Sequence, residues 1–181
     1  MKTRLFTQIP GMTLAVLLAL TVGQALVVGP EARAAGGGKL EGTWLIEAAR
    51  VNCATGDPLP IPGNPFPALH TYMRGGTMLD TGASPPPPPP STAVTRSTAH
   101  GIWERTGCQT FRERFRLFNF NAAGVHVSTT EVTVERSLIQ GNHSGTDEII
   151  GAGTAKFFTP TGALVGGGCS VDKGRRFEFE E

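Results

Sequence analysis

Glu113 stands on one face of an alternating run in which Phe111, Phe115 and Leu117 are its neighbours at period two, while Arg112, Arg114 and Arg116 occupy the other face. A carboxyl held among aromatic side chains loses hydration, and desolvation raises its pKa toward the range useful for general acid work or for gripping the polar head of a ligand. The blander account is that an arginine such as Arg105 or Arg74 neutralises Glu113 near a sheet end, or that its face is wet. His100-Gly101-Ile102-Trp103 is the second suggestive cluster, because a glycine between a histidine and an aromatic marks a close backbone approach or a bulge. Glu113 and His100 are the acid–base candidates, and Trp103, Phe111 and Phe115 with them are the candidate ligand-contacting residues.

Other chemistry finds little support. The chain has no Gly-x-Ser-x-Gly elbow, His-Glu-x-x-His helix, phosphate loop or Cys-x-x-Cys pair. Its four histidines, His70, His100, His126 and His143, fall in separate segments without metal-ligand spacing. No metal and no cofactor is therefore expected.

The elements that must position these residues read as strands. Alternation over Gln109–Phe120 and again over Val125–Leu138, joined by the turn Asn121-Ala122-Ala123-Gly124, predicts a long hairpin that needs further strands to cover its aromatic face. In the second of these strands the apolar phase changes from Val125 and Val127 to Val132, Val134 and Leu138, which predicts a bulge near Thr129–Glu131. A first strand is expected over Thr43–Cys53 with Trp44, Ile46 and Ala48 on one face. Strands at Ala68–Arg74 and Thr77–Asp80 follow around Gly75-Gly76, then one at Thr95–Arg105. Thr146–Phe158 and a last strand broken by Gly166-Gly167-Gly168 and resuming at Cys169 complete the set. Residues 57–67, with their five prolines, form a surface loop, and the unbroken Pro85–Pro90 makes residues 82–92 an extended spacer. With 24 Gly and 14 Pro in 181 residues and no helical period after the first segment, the chain is all-β. Its short connections allow an up-and-down barrel or a two-layer sandwich.

Residues 1–34 have the make-up of a secretory signal peptide: Lys2 and Arg4, an apolar run from Met12 to Val28, and Ala32-Arg33-Ala34 as a small-x-small cleavage site. Residues 35–39 are a flexible leader, and 40–181 form the folded domain, secreted or periplasmic, with no membrane attachment once the signal is removed. Loss of Lys2, Arg4, Arg33 and Glu31 from a chain of 16 Lys+Arg and 15 Asp+Glu leaves near neutrality. That balance provides no general attraction to nucleic acid, and the Arg112, Arg114, Arg116 row reads as a solvated outer face. Oligomeric state is left open.

Gly42-Thr43-Trp44 resembles the Gly-x-Trp signature of lipocalins and the wider calycin barrels, in which an arginine near the last strand packs over the tryptophan. Arg175 and Arg176 stand where that arginine would be. The wider pattern is similar to exported bacterial proteins of unassigned function associated with lipocalin-like barrels: Cys53-x-Thr55-Gly56, Phe66-Pro67-Ala68-Leu69, Gly75-Gly76-Thr77, Gly101 and Gly107, then aromatic-rich Phe111–Phe120. The resemblance implies an antiparallel up-and-down barrel of about eight strands, without a C-terminal helix, and a floor made by Trp44 with Arg175 or Arg176. An interior of that size holds side chains or one small apolar ligand. A closed barrel also makes the first and last strands neighbours, so Cys53 and Cys169 are the expected disulfide and Cys108 a free thiol, read as a small buried residue or as a reactive one. Three functions follow as expectations: a carrier of a small apolar molecule, a cyclase- or isomerase-type enzyme using Glu113 and His100, and a packed barrel acting through its outer surface.

Overall fold

The computed structural model describes residues 39–83, 91–141 and 147–178. The expected signal peptide, all but the last residue of the leader, and the proline run lie outside the described residues. Nine strands are present: β1 Gly42–Val51, β2 Phe66–Met73, β3 Thr77–Gly82, β4 Thr95–Arg96, β5 Ala99–Arg105, β6 Thr110–Phe120, β7 His126–Ile139, β8 Glu148–Phe158 and β9 Leu164–Arg176. β4 and β5 both pair with β6 and serve as one interrupted strand. Each strand is antiparallel to its neighbours, and β1 pairs with β9 while β6 pairs with β7. The sheet thus closes on itself as an eight-strand up-and-down barrel, with no helix among the described residues.

Closure follows from alternation in every strand. Trp44 and Ile46 of β1, Ala68, His70 and Tyr72 of β2, Met78 and Asp80 of β3, and Phe111, Glu113, Phe115 and Leu117 of β6 all point inward and are buried. Gly75 and Gly76, at φ 93° and 86°, make the β2–β3 turn in a region that side-chain-bearing residues rarely enter. One barrel end is closed by Trp44, whose indole Nε1 donates to the Leu40 carbonyl at 2.8 Å. Arg176 stacks over that ring at 4.3 Å and donates to the carbonyls of Glu41 and Lys39 at 2.9 and 2.7 Å. Gly42 leaves the space that Arg176 fills, since a Cβ there would stand 2.9 Å from its Nη1. Arg175 points outward and is exposed.

Three local expectations need correction. The bulge lies earlier than Thr129–Glu131: Asn119 pairs with Ser128 and Phe120 with His126, so Val127 is the extra residue. From Ser128 onward the even positions face in, including the polar Ser128 and Thr130, whose polarity hid the change of phase. The glycine run does not break the last strand, because glycine keeps its backbone N–H and C=O and Gly166, Gly167 and Gly168 pair with Phe157, Lys156 and Ala155. Cys108 is exposed rather than buried, in the β5–β6 turn where Arg105 donates to its carbonyl.

Cys53 and Cys169 form a disulfide with Cα atoms 5.2 Å apart. The bridge ties the start of the β1–β2 loop to β9. That loop folds back over the barrel: Val51 bridges to Pro58, Leu59 N donates to the Arg50 carbonyl at 2.9 Å, and Asn64 bonds both the Arg50 and Leu59 carbonyls.

Candidate functional site

Opposite the Trp44 floor, beneath the β1–β2 loop, the barrel encloses a cavity of about 430 Å³. Its apolar walls come from Phe115 and Leu117 of β6, Val132 and Val134 of β7, and Ala155 and Phe157 of β8, with Leu59, Ile61, Pro62 and Phe66 at the mouth. Small inward residues leave part of this space open: Ala155 of β8 and Gly168 and Ser170 of β9.

A polar chain crosses the bottom of this cavity. Arg96 holds Asp80 with two bonds of 2.8 and 3.1 Å. Asp80 Oδ1 lies 3.6 Å from His70 Nε2, and His70 Nδ1 lies 3.2 Å from the Tyr72 hydroxyl. Tyr72 donates to Glu113 Oε2 at 2.5 Å, and Arg136 donates to Glu113 Oε1 at 2.7 Å and to Oε2 at 3.3 Å. Arg136 continues to Asp172 with bonds of 2.5 and 3.1 Å. His70, Asp80, Arg96 and Asp172 line the cavity, whereas Tyr72, Glu113 and Arg136 form the layer beneath.

The charges of this chain set each other. Burial alone raises the Glu113 carboxyl, but the Arg136 and His70 charges and the hydrogen bonds from Arg136 and Tyr72 prevail and hold it below the ordinary carboxylate value. Tyr72 is pushed well up, first by burial and then by the adjacent carboxylates. For Arg136, burial works to lower the value, and the charges of Glu113, Tyr72 and Asp172 more than reverse it, so the guanidinium stays protonated. Glu113 is thus an ion-paired carboxylate and not the acid with a raised pKa that its apolar strand suggests.

Among the residues singled out in sequence, Phe115 lines the cavity. Phe111 and Trp103 pack below it, Trp103 standing edge to face with Phe111 at 5.9 Å and with Tyr72 at 6.1 Å between ring centroids. His100 is on the outer face, exposed, across from Leu79 and Arg116, so it shares no face with Glu113 and the pair cannot act as an acid–base couple. The neutralising arginine is neither Arg105, which stacks on Phe111 at 4.6 Å, nor the exposed Arg74; it is Arg136. On the outside, Arg114 and Arg116 clasp Glu131 at 2.8 and 2.7 Å and Arg112 pairs with Glu135 at 2.7 Å. The described residues contain no cluster of three or more metal-ligating side chains.

His70, Tyr72, Asp80, Arg96, Arg136 and Asp172 were not singled out from sequence. A signal was present for Arg136: it interrupts the run Val132, Val134, Leu138 as Glu113 interrupts Phe111, Phe115, Leu117, and two opposite charges breaking the inward faces of consecutive strands are candidates for each other. Comparisons with protein-family models, with curated proteins and with solved structures found no match to this chain.

Proposed function

We propose that this protein is an exported, lipocalin-like carrier that encloses one small, largely apolar molecule in its barrel. The observation that carries this reading is the cavity of about 430 Å³, a volume within the roughly 300–1,000 Å³ of small-molecule sites and walled by aliphatic and aromatic side chains above a few fixed polar groups. A barrel acting only through its outer surface would have no reason to leave that space unfilled, since voids of this size cost packing energy. The Trp44–Arg176 stack supports the likeness to lipocalins, and the Cys53–Cys169 bridge is compatible with the oxidising compartment that the N-terminal sequence implies.

Titration with Nile red, an uncharged environment-sensitive dye, tests the carrier reading. A saturable rise in emission at one dye per protein, reversed by an apolar competitor, is the expected result; no saturable binding would leave the carrier without support. Export is tested separately by N-terminal sequencing of protein recovered from outside the cytoplasm, which is expected to begin at Ala35. Recovery of the uncleaved chain inside the cell alone would overturn that part.

A further inference from the structure

The two ends of the barrel differ in charge and in apolar exposure. At the end where the cavity opens, the β1–β2 loop, the approach to β4 and the β6–β7 and β8–β9 turns hold a single charged side chain among their described residues, Asp57. The opposite end carries Lys39, Glu41, Arg74, Asp147 and Glu178. Around the mouth Val94, Phe118, Val125, Leu164 and Val165 are 48% to 62% exposed. These side chains are not scattered. Phe118 of β6 pairs with Thr129 of β7, Thr129 with Phe158 of β8 and Phe158 with Leu164 of β9, so one outward row crosses four strands. Val94 continues it beyond β6, where its N–H donates to the Phe120 carbonyl at 2.9 Å, and His126 stands edge to face with Phe118 at 5.4 Å. Single exposed hydrophobics need no explanation, whereas a contiguous apolar rim marks a docking surface.

What lies behind the rim says what it docks on. The next outward row, two residues or about 7 Å further from the mouth, is Arg116, Glu131 and Lys156. Arg114 joins Arg116 on Glu131, so three cations stand in this band with one carboxylate. Further down the same sheet the balance reverses, with Arg112 set against Glu135 at 2.7 Å and Glu104 at 3.9 Å. The near-neutral total charge thus conceals a positive band directly behind an apolar rim. A bilayer containing anionic lipid has the complementary layers: a rim inserted by about 5–10 Å, the depth of interfacial elements, brings the band level with the phosphates. A second copy docked rim to rim would instead bring two positive bands together. We infer that the mouth end of the barrel docks on anionic lipid surfaces. Val94, Phe118, Val125, Leu164 and Val165 enter the interface, and Arg114, Arg116 and Lys156 face the phosphates. Docking needs no ligand in the cavity, so it holds whether or not the carrier reading does.

Flotation of the mature protein with lipid vesicles tests the docking. Vesicles of equal parts phosphatidylglycerol and phosphatidylcholine are expected to carry the protein, and phosphatidylcholine alone to carry far less. Binding to the anionic vesicles is expected to weaken in about 1 M salt, where the screening length falls to about 3 Å. Phe118→Ser combined with Leu164→Ser is expected to abolish flotation. Lys156→Glu keeps the rim and is expected to lower the partition coefficient on the order of twentyfold, since each cation near an anionic surface is worth roughly fivefold and the reversal counts twice. Ile139→Ser, which alters an exposed side chain at the opposite end of β7, is expected to bind as the native protein does. Equal carriage by both kinds of vesicle, an Ile139→Ser loss as large as that of the rim variant, or no flotation at all would overturn the inference. So would a native dimer in light scattering that the rim variant dissolves, with no flotation, which would assign the rim to a second copy. Nile red titration of the same samples without vesicles decides the carrier reading separately.

Discussion

Arg136 decides the charge balance of the interior. Its side chain is fully buried and binds Glu113 and Asp172 at once, so removing it strands two carboxylates in the barrel. Arg136→Met is expected to lower unfolding free energy by about 3–5 kcal/mol in urea melts, the cost of leaving a buried charge uncompensated. A loss under about 1 kcal/mol would mean that water reaches the pair. Glu113 makes stability depend on pH with a definite sign. Its folded pKa lies below the ordinary value, so its contribution is fully present above the unfolded carboxylate value of roughly 4.3 and is lost as pH falls through the lower folded value. The groups facing it are Arg136, His70 and Tyr72. Urea midpoints measured from neutral pH down through this window are expected to fall more steeply for the native protein than for Glu113→Gln; parallel curves would assign the acid sensitivity to other carboxylates. The inward placement of Glu113 was legible from period-two alternation. Its partner was missed, because Arg136 belongs to a strand whose phase turns on the bulge at Val127, five residues before the inward run becomes apolar at Val132.

At the scale of elements, the cavity owes part of its space to small inward residues on two paired strands, Ala155 of β8 and Gly168 and Ser170 of β9. Glycine is ordinarily a sign of a strand's end, and the run Gly166–Gly168 reads that way until the ladder is seen to continue through it. What the sequence pattern did carry was the antiparallel order and most strand bounds, since alternation and turn chemistry are local properties. Which strands would face a void was not local: it depends on Ala155 of β8 pairing with Gly168 of β9. Gly168 offers a direct probe. It lines the cavity, its φ is not in the left-handed region, and a Cβ built on it meets nothing within 4 Å. Gly168→Leu is therefore expected to fill the cavity and abolish Nile red binding while thermal stability holds or rises, because strand glycine is less favourable than other residues by roughly 0.5–1 kcal/mol. Loss of stability together with binding would show that the leucine is turned away from the space and strains the wall. By contrast, Gly153→Ala brings a methyl 2.8 Å from Val134 Cγ2 and 2.9 Å from the Thr133 carbonyl and is expected to destabilise.

For the whole molecule, closure of the barrel depends on the seam between β1 and β9, where the first and last strands of the chain meet. The barrel and its disulfide were legible together, because closure makes those strands neighbours and leaves Cys53 and Cys169 beside the same seam. The cavity's polar floor was not, since it assembles His70, Asp80, Glu113, Arg136 and Asp172 from five strands whose facing residues no local pattern reveals. The bridge spans 116 residues, and constraining so long a segment of the unfolded chain is worth at most about 4.7 kcal/mol, with about 2–4 kcal/mol usual. Replacing both cysteines by serine is therefore expected to lower stability by about 2–4 kcal/mol in urea, with the folded barrel retained at room temperature. The same bridge anchors one end of the loop that carries Leu59, Ile61 and Pro62 over the cavity, while Asn64, bonded to both the N–H and the carbonyl of Arg50, anchors the other. If the bridge holds the mouth closed, the serine variant releases Nile red faster in stopped-flow displacement than the native protein does. If stability falls but release is unchanged, Asn64 alone fixes the loop, and Asn64→Ala is then the variant expected to speed release. No loss of stability in the serine variant would show that the β1–β9 ladder closes the barrel without help from the bridge.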